Sequence, residues 1–210
     1  MRNHSAMKTL LLAIAIASLL FVSGCSEAPQ KVEKKDTAPP QPVKGRFALY
    51  QMFNAGRGWA PDIQVLRLRS IDMREVKAER GKAAAWEAYF VSTARGRGRM
   101  YTYSVIEAEG NLHKGVFAGL EENWSGPRGP VTPFVIAAVK TDSDEVYQTA
   151  LKKAADYEKK NPDKPISFLL EKIDRFPNPA WRVIWGENVA ASNFSIFIDA
   201  STGLYLQTMR

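Results

Sequence analysis

An α+β fold of two tandem units, each a helix followed by an antiparallel sheet, is what the sequence predicts behind a signal peptide and a disordered tether. Three observations predict it. The stretches "AAAWEAYFV" (83–91) and "NPAWRVIWG" (178–186) are loose copies that set large apolar residues at alternate positions, the period-2 signature of a strand. Ahead of each lies an apolar stripe at helical spacing. After each comes an acid followed by a turn glycine. Trp86 and Trp181, Glu107 and Asp199, and Gly110 and Gly203 stand at offsets of 95, 92 and 93, the drift of three falling where the first hairpin turn is longer.

The chain of 210 residues opens with Arg2 and Lys8, an apolar run over 10–22 and small residues before Cys25. That order is a secretory signal peptide, and the run is short of the roughly 20 residues a spanning helix needs. Met7 begins an equally complete signal. Val22-Ser23-Gly24-Cys25 resembles the lipobox of bacterial lipoproteins. The resemblance implies cleavage after residue 24, diacylglycerylation of Cys25 and N-acylation with a chain such as palmitate. Ser26 rather than aspartate implies sorting to the outer membrane, facing the periplasm. Cys25 is the chain's sole cysteine, so no intramolecular disulfide competes for it. Several acyl chains at about 0.8 kcal/mol per buried methylene anchor the protein without spanning the membrane.

Loss of residues 1–24 leaves 27 basic against 22 acidic residues. This mild excess suits anionic lipid, an anionic envelope polymer or an acidic envelope protein, and is too small to argue for nucleic acid. Residues 25–44 mix charge and proline with little to bury and read as a flexible tether.

The first unit spans 45–124. Ala48, Met52 and Ala55, with Leu49 and Phe53 beside them, mark a short amphipathic helix bounded by Pro61. In "IQVLRLRSIDM" the alternation places Val65, Arg67 and Arg69 on one side and Leu66 and Leu68 on the other. "AAWEAYFVST" and "RMYTYSVIEAE" flank "ARGRG" as a hairpin with Gly96 or Gly98 available for positive φ. "EGN" turns the chain toward "LHKGVFAGL". A breaker-rich connector fills 125–134. The second unit spans 135–210. Asp142 caps a helix with Glu145 three residues on, Val146, Ala150, Ala154 and Tyr157 share its face, and Asn161-Pro162 stops it. "PISFLLEKIDRF", "AWRVIWGENV", "NFSIFIDAS" and "LYLQTM" follow as strands, with a turn at Gly203.

In this second unit the helix opened by "DSDEVYQTA", the strand pair holding "AWRVIWG" and the terminal "FIDASTG" resemble the PepSY domain, a small exported α+β module of peptidase propeptides and envelope proteins. The likeness covers about 135–210. In the first unit Glu107 replaces the aspartate and the turn is one residue shorter. The resemblance implies a non-catalytic module, in some settings a restraint on proteases, and carries over no catalytic residues. On either likeness Trp181, Val183 and Trp185, and Trp86, Ala88 and Phe90, form the rows on which helices pack.

Catalytic residues do not assemble on paper. Beyond the signal peptide the one histidine is His113, beside the Gly110 turn, and no G-x-S-x-G elbow occurs. Neither paired cysteines nor H-E-x-x-H point to zinc, and "DSDE" (142–145) reads as a helix cap rather than a calcium loop. Gly56-Arg57-Gly58 and Gly96-Arg97-Gly98 lack the third glycine of a nucleotide loop and read as turns. Trp59 and Trp124 read as packing residues. No cofactor is implied. What remains is basic: Arg95, Arg97 and Arg99 in the first hairpin, with Arg67 and Arg69 on a neighbouring strand, a group able to clamp carboxylates or phosphates. The expected function is therefore an envelope-anchored, non-catalytic binding module. Restraint of an exported peptidase is the alternative and a hydrolytic enzyme the last choice.

Overall fold

The computed structural model describes residues 38–210. The expected signal peptide, Cys25 and the tether through Thr37 lie outside the described residues. Val43–Lys44 (β1), assigned by composition to the tether, pairs with Lys82–Ala83 (β3). Gly45–Trp59 then forms α1, with Ala48, Leu49 and Met52 fully buried. The expected turn at Gly56-Arg57-Gly58 is instead the last turn of this helix. Gly56 serves packing there: a Cβ would stand 2.9 Å from Ile63 Cδ1.

Gln64–Ile71 (β2) carries Leu68 inward and Arg67 and Arg69 outward. Val65 does not share the arginines' side. A bulge between Val65 and Arg67 adds one residue to the strand and returns Val65 to the core with Leu68. Ala85–Ser92 (β4) and Arg97–Ser104 (β5) form the hairpin, and Gly96 takes the left-handed turn position at φ 59°. Gly98 answers a different need, since a Cβ there would lie 2.2 Å from the Tyr89 hydroxyl. Gly115–Asn123 (β6) completes this side.

The connector contributes Val131–Thr132 (β7), and one turn of 3-10 helix follows it at Ile136–Ala138. Ser143–Lys160 (α2) begins at the Asp142 cap, ends at Asn161 and buries Val146, Ala150 and Ala154. Ile166–Ile173 (β8), Ala180–Trp185 (β9), Ser195–Asp199 (β10) and Tyr205–Met209 (β11) follow, and Gly203 turns the last pair at φ 74°.

These strands join in one antiparallel sheet ordered β11-β10-β9-β8-β2-β4-β5-β6, with β7 attached to β8. The seam is β2 against β8, where Arg67, Leu68 and Arg69 face Glu171, Leu170 and Leu169. Both helices lie on one side, α1 against β2, β4, β5 and β6, and α2 against β9 and β10. Trp86 and Trp181 meet edge to face near the seam, ring centroids 6.3 Å apart. Each indole N–H donates to a carbonyl two residues ahead of a helix, Trp86 to Val43 and Trp181 to Thr141, both at 3.1 Å. Gly45 fits between the two rings, where a Cβ would come within 2.8 Å of each.

The helix starts converge at the same place. Asp142 Oδ1 accepts from Ser143 N at 2.7 Å and from Arg46 N at 2.9 Å, so one carboxylate serves the first turns of α1 and α2. Ser143 Oγ accepts from Gly45 N and donates to the Gly81 carbonyl. Lys44 closes the junction on Asp144 at 2.7 Å.

Candidate functional site

The sheet face away from the helices carries Arg67 and Arg69 on β2, Glu87 and Tyr89 on β4, and Glu171 and Arg182 beyond the seam, as the direct strand partnerships require. Arg95, Arg97 and Arg99 do not join them. Arg99 is paired with Phe90, whose ring packs on Phe53 of α1, so Arg97 and Arg99 emerge on the helix side. The five arginines expected as one group are thus split between two faces, because β5 alternates in phase with the buried row of β4.

The hairpin arginines are also occupied. Arg95 donates to the Trp59 carbonyl at the end of α1, lies 5.6 Å over the Trp59 ring and stands 3.6 Å from Glu121. A cation at a helix C-terminus complements the macrodipole. Arg97 donates to Asn123, and Arg99 to the Gly119 carbonyl. On the open face Arg69 grips Glu87 through two bonds of 2.7 and 2.8 Å. His113 pairs with Glu107 at 2.6 Å on an exposed loop. Lys114 N and then His113 hold the Glu107 carboxyl below its ordinary range.

Arg67 is different. Among the described residues its guanidinium makes no hydrogen bond or salt bridge, although Glu171 across the seam attracts it, and the guanidinium of Arg128 in the connector makes none either. Both line a basin of about 270 Å³ with Leu66, Tyr89, Trp124 and Pro127. Arg67 also lines a second basin of about 220 Å³ across the seam, which contains Leu169, Ile184 and Glu171. Burial pushes the Glu171 carboxyl above its ordinary range, against the pull of Arg67 and Arg182. The face therefore carries two carboxylates, Glu87 bonded to Arg69 and Glu171 between Arg67 and Arg182. The basin of Arg67 and Arg128 has no carboxylate in its lining and is bordered by the Tyr89 and Trp124 rings, an arrangement suited to carboxylates or phosphates. Arg128, Arg182 and Glu171 were not singled out in the sequence. "AWRVIW" did contain a signal for Arg182, one charge between buried apolar neighbours.

Among the described residues no group of three or more His, Cys, Asp or Glu side chains is placed to hold a metal ion. No helix among them is long and apolar enough to cross a membrane.

No protein-family model matches the chain, and no curated protein matches it. A solved structure of a proposed lipoprotein from Clostridium difficile 630 is similar at a TM-score of 0.46 and 10% sequence identity, covering 77% of this chain and 91% of that one.

Proposed function

We propose that the chain is a lipid-anchored protein of the bacterial envelope, attached through Cys25 at the outer membrane. Its folded body is a non-catalytic binding module built from two copies of one PepSY-like helix-plus-sheet unit. The matched indole bonds of Trp86 and Trp181, one helix lying over each half and the similar strand order outward from the seam support the kinship of the halves. The binding role rests on one observation: Arg67 and Arg128 share a basin with aromatic walls and no carboxylate in its lining. The partner is an acidic segment of an envelope protein or an anionic envelope polymer.

Two experiments test this. Replacing Cys25 with alanine is expected to abolish acyl labelling and to move the chain out of the membrane fraction; unchanged fractionation removes the anchor. For the basin, the full-length chain in detergent is titrated with fluorescein-labelled deca-glutamate. Binding is expected to weaken with salt, and Arg67→Ala combined with Arg128→Ala should reduce it by at least about tenfold, the scale of lost charge-assisted bonds. Equal binding by the variant discards the basin.

A further inference from the structure

The seam is open at one end and filled at the other. Beyond Val65 the space between β2 and β8 is occupied by the connector. Val131 and Thr132 pair with Ile173 and Lys172, and Phe134 exchanges two backbone bonds with Val65, 2.9 and 2.8 Å. Phe134 is 4% exposed and lies in the core under the helices. At the opposite end Ser70 Oγ accepts from Phe168 N at 2.9 Å, taking the place of a ladder bond. Past that point the strands separate around a cavity of about 640 Å³.

The two ends have corresponding residues. Val65 stands beside Phe90 and Ile166 beside Trp185, each of these partners lying four residues after Trp86 or Trp181. Trp185 N–H goes to the Phe194 carbonyl. Since adjacent residues of an antiparallel strand direct their backbone groups to opposite sides, Ile166 turns its N–H and C=O toward the seam. Val65 spends both groups on Phe134, whereas Ile166 has no strand partner on that side among the described residues. Likewise Ser70 lies beside Trp86 and Leu170 beside Trp181, so Asp72 and Met73 correspond to Lys172 and Ile173. Ile166, Asp72 and Met73 all line the cavity.

We infer that this open fork receives an extended peptide segment from a partner protein, which pairs with Ile166 and with Asp72 and Met73 as the connector pairs at the other end. The occupant is polypeptide because the unpaired groups are backbone groups, which a strand satisfies. It carries a bulky apolar residue at the position of Phe134, where Ile166, Phe168 and Tyr147 form the wall; the last two rings are 6.4 Å apart. The cavity is lined by five basic and five acidic side chains, so it selects no strongly charged ligand. This rests on the proposed kinship of the halves but uses a site separate from the arginine basin.

The probe is a labelled peptide of sequence RGPVTPFVIA, the segment that fills the other end, added to the full-length chain in detergent. Saturable binding is expected. At peptide near ten times Kd, amide exchange at Ile166 should slow by about tenfold. A benzoylphenylalanine in place of the phenylalanine should crosslink to Tyr147, Ile166 or Phe168. Protection and crosslinks at β6 or β11 overturn the fork while leaving the halves' kinship intact, and the absence of saturable binding overturns it as well. Binding by the Arg67→Ala, Arg128→Ala chain is expected to stay unchanged, which separates failure of the fork from failure of the basin.

Discussion

Gly45 opens α1 although glycine is a poor helix former, and the two indoles that crowd its Cα explain why. Gly45→Ala gains about 1 kcal/mol of intrinsic helix propensity at most. It also forces a methyl group within 2.8 Å of both rings, and overpacking of this kind costs about 1–3 kcal/mol. Net destabilisation in denaturant melts is expected, with a change in tryptophan fluorescence; a stabilised variant contradicts the close approach. Glu171 has the opposite character. Its carboxyl is raised in the folded state, so folding favours the protonated form. Stability therefore falls as pH climbs from the unfolded value near about 4.3 through the raised one. Glu171→Gln is expected to raise Tm at neutral pH and to leave it unchanged near pH 3, and an equal effect at both removes burial as the cause.

At the scale of elements, Asp142 is the side chain with the widest reach. An N-cap replaced by alanine usually costs about 0.5–2 kcal/mol. Asp142→Ala removes acceptors from both α1 and α2, so a loss at or above the top of that range is expected, with Asn retaining part of it; urea titration measures it. The extent of α2 was legible because cap, apolar stripe and proline stop are all local. The end of α1 was legible at Pro61, but the turn expected at Gly56-Arg57-Gly58 is helix, since the reason for Gly56 is contact with Ile63 and Phe90 rather than chain reversal. The side of Val65 was hidden by a bulge, which a period-2 pattern cannot register. For the arginines, the strand and hairpin positions were legible and the face was not. Arg69 is neutralised by Glu87, whose role emerges only from strand register.

For the whole molecule, the α+β class, two helices and antiparallel strands could be read from the chain. The single sheet could not, because nothing local says that β2 meets β8. The junction is equally non-local: Gly45 and Ser143 bond across 98 positions, Arg46 and Asp142 across 96. Each half depends on the other, with Trp181 on Trp86, Ser143 on Gly45 and β8 on β2. A chain ended after residue 124 is expected to lack a cooperative thermal transition by circular dichroism, since it exposes Trp86 and an unpaired inner strand; a sharp melt from that fragment argues for autonomous halves.

The seam also bears on how the molecule is made. A polypeptide synthesised from its N-terminus completes β2 long before β8 exists, so an inner edge stands bare in the interval. Two unfinished molecules can meet there, and when synthesis ends the late strand of each can seat on the early strand of the other, giving an exchanged dimer. Slow elongation should enrich that species, and dilute, rapid refolding of finished chains should suppress it.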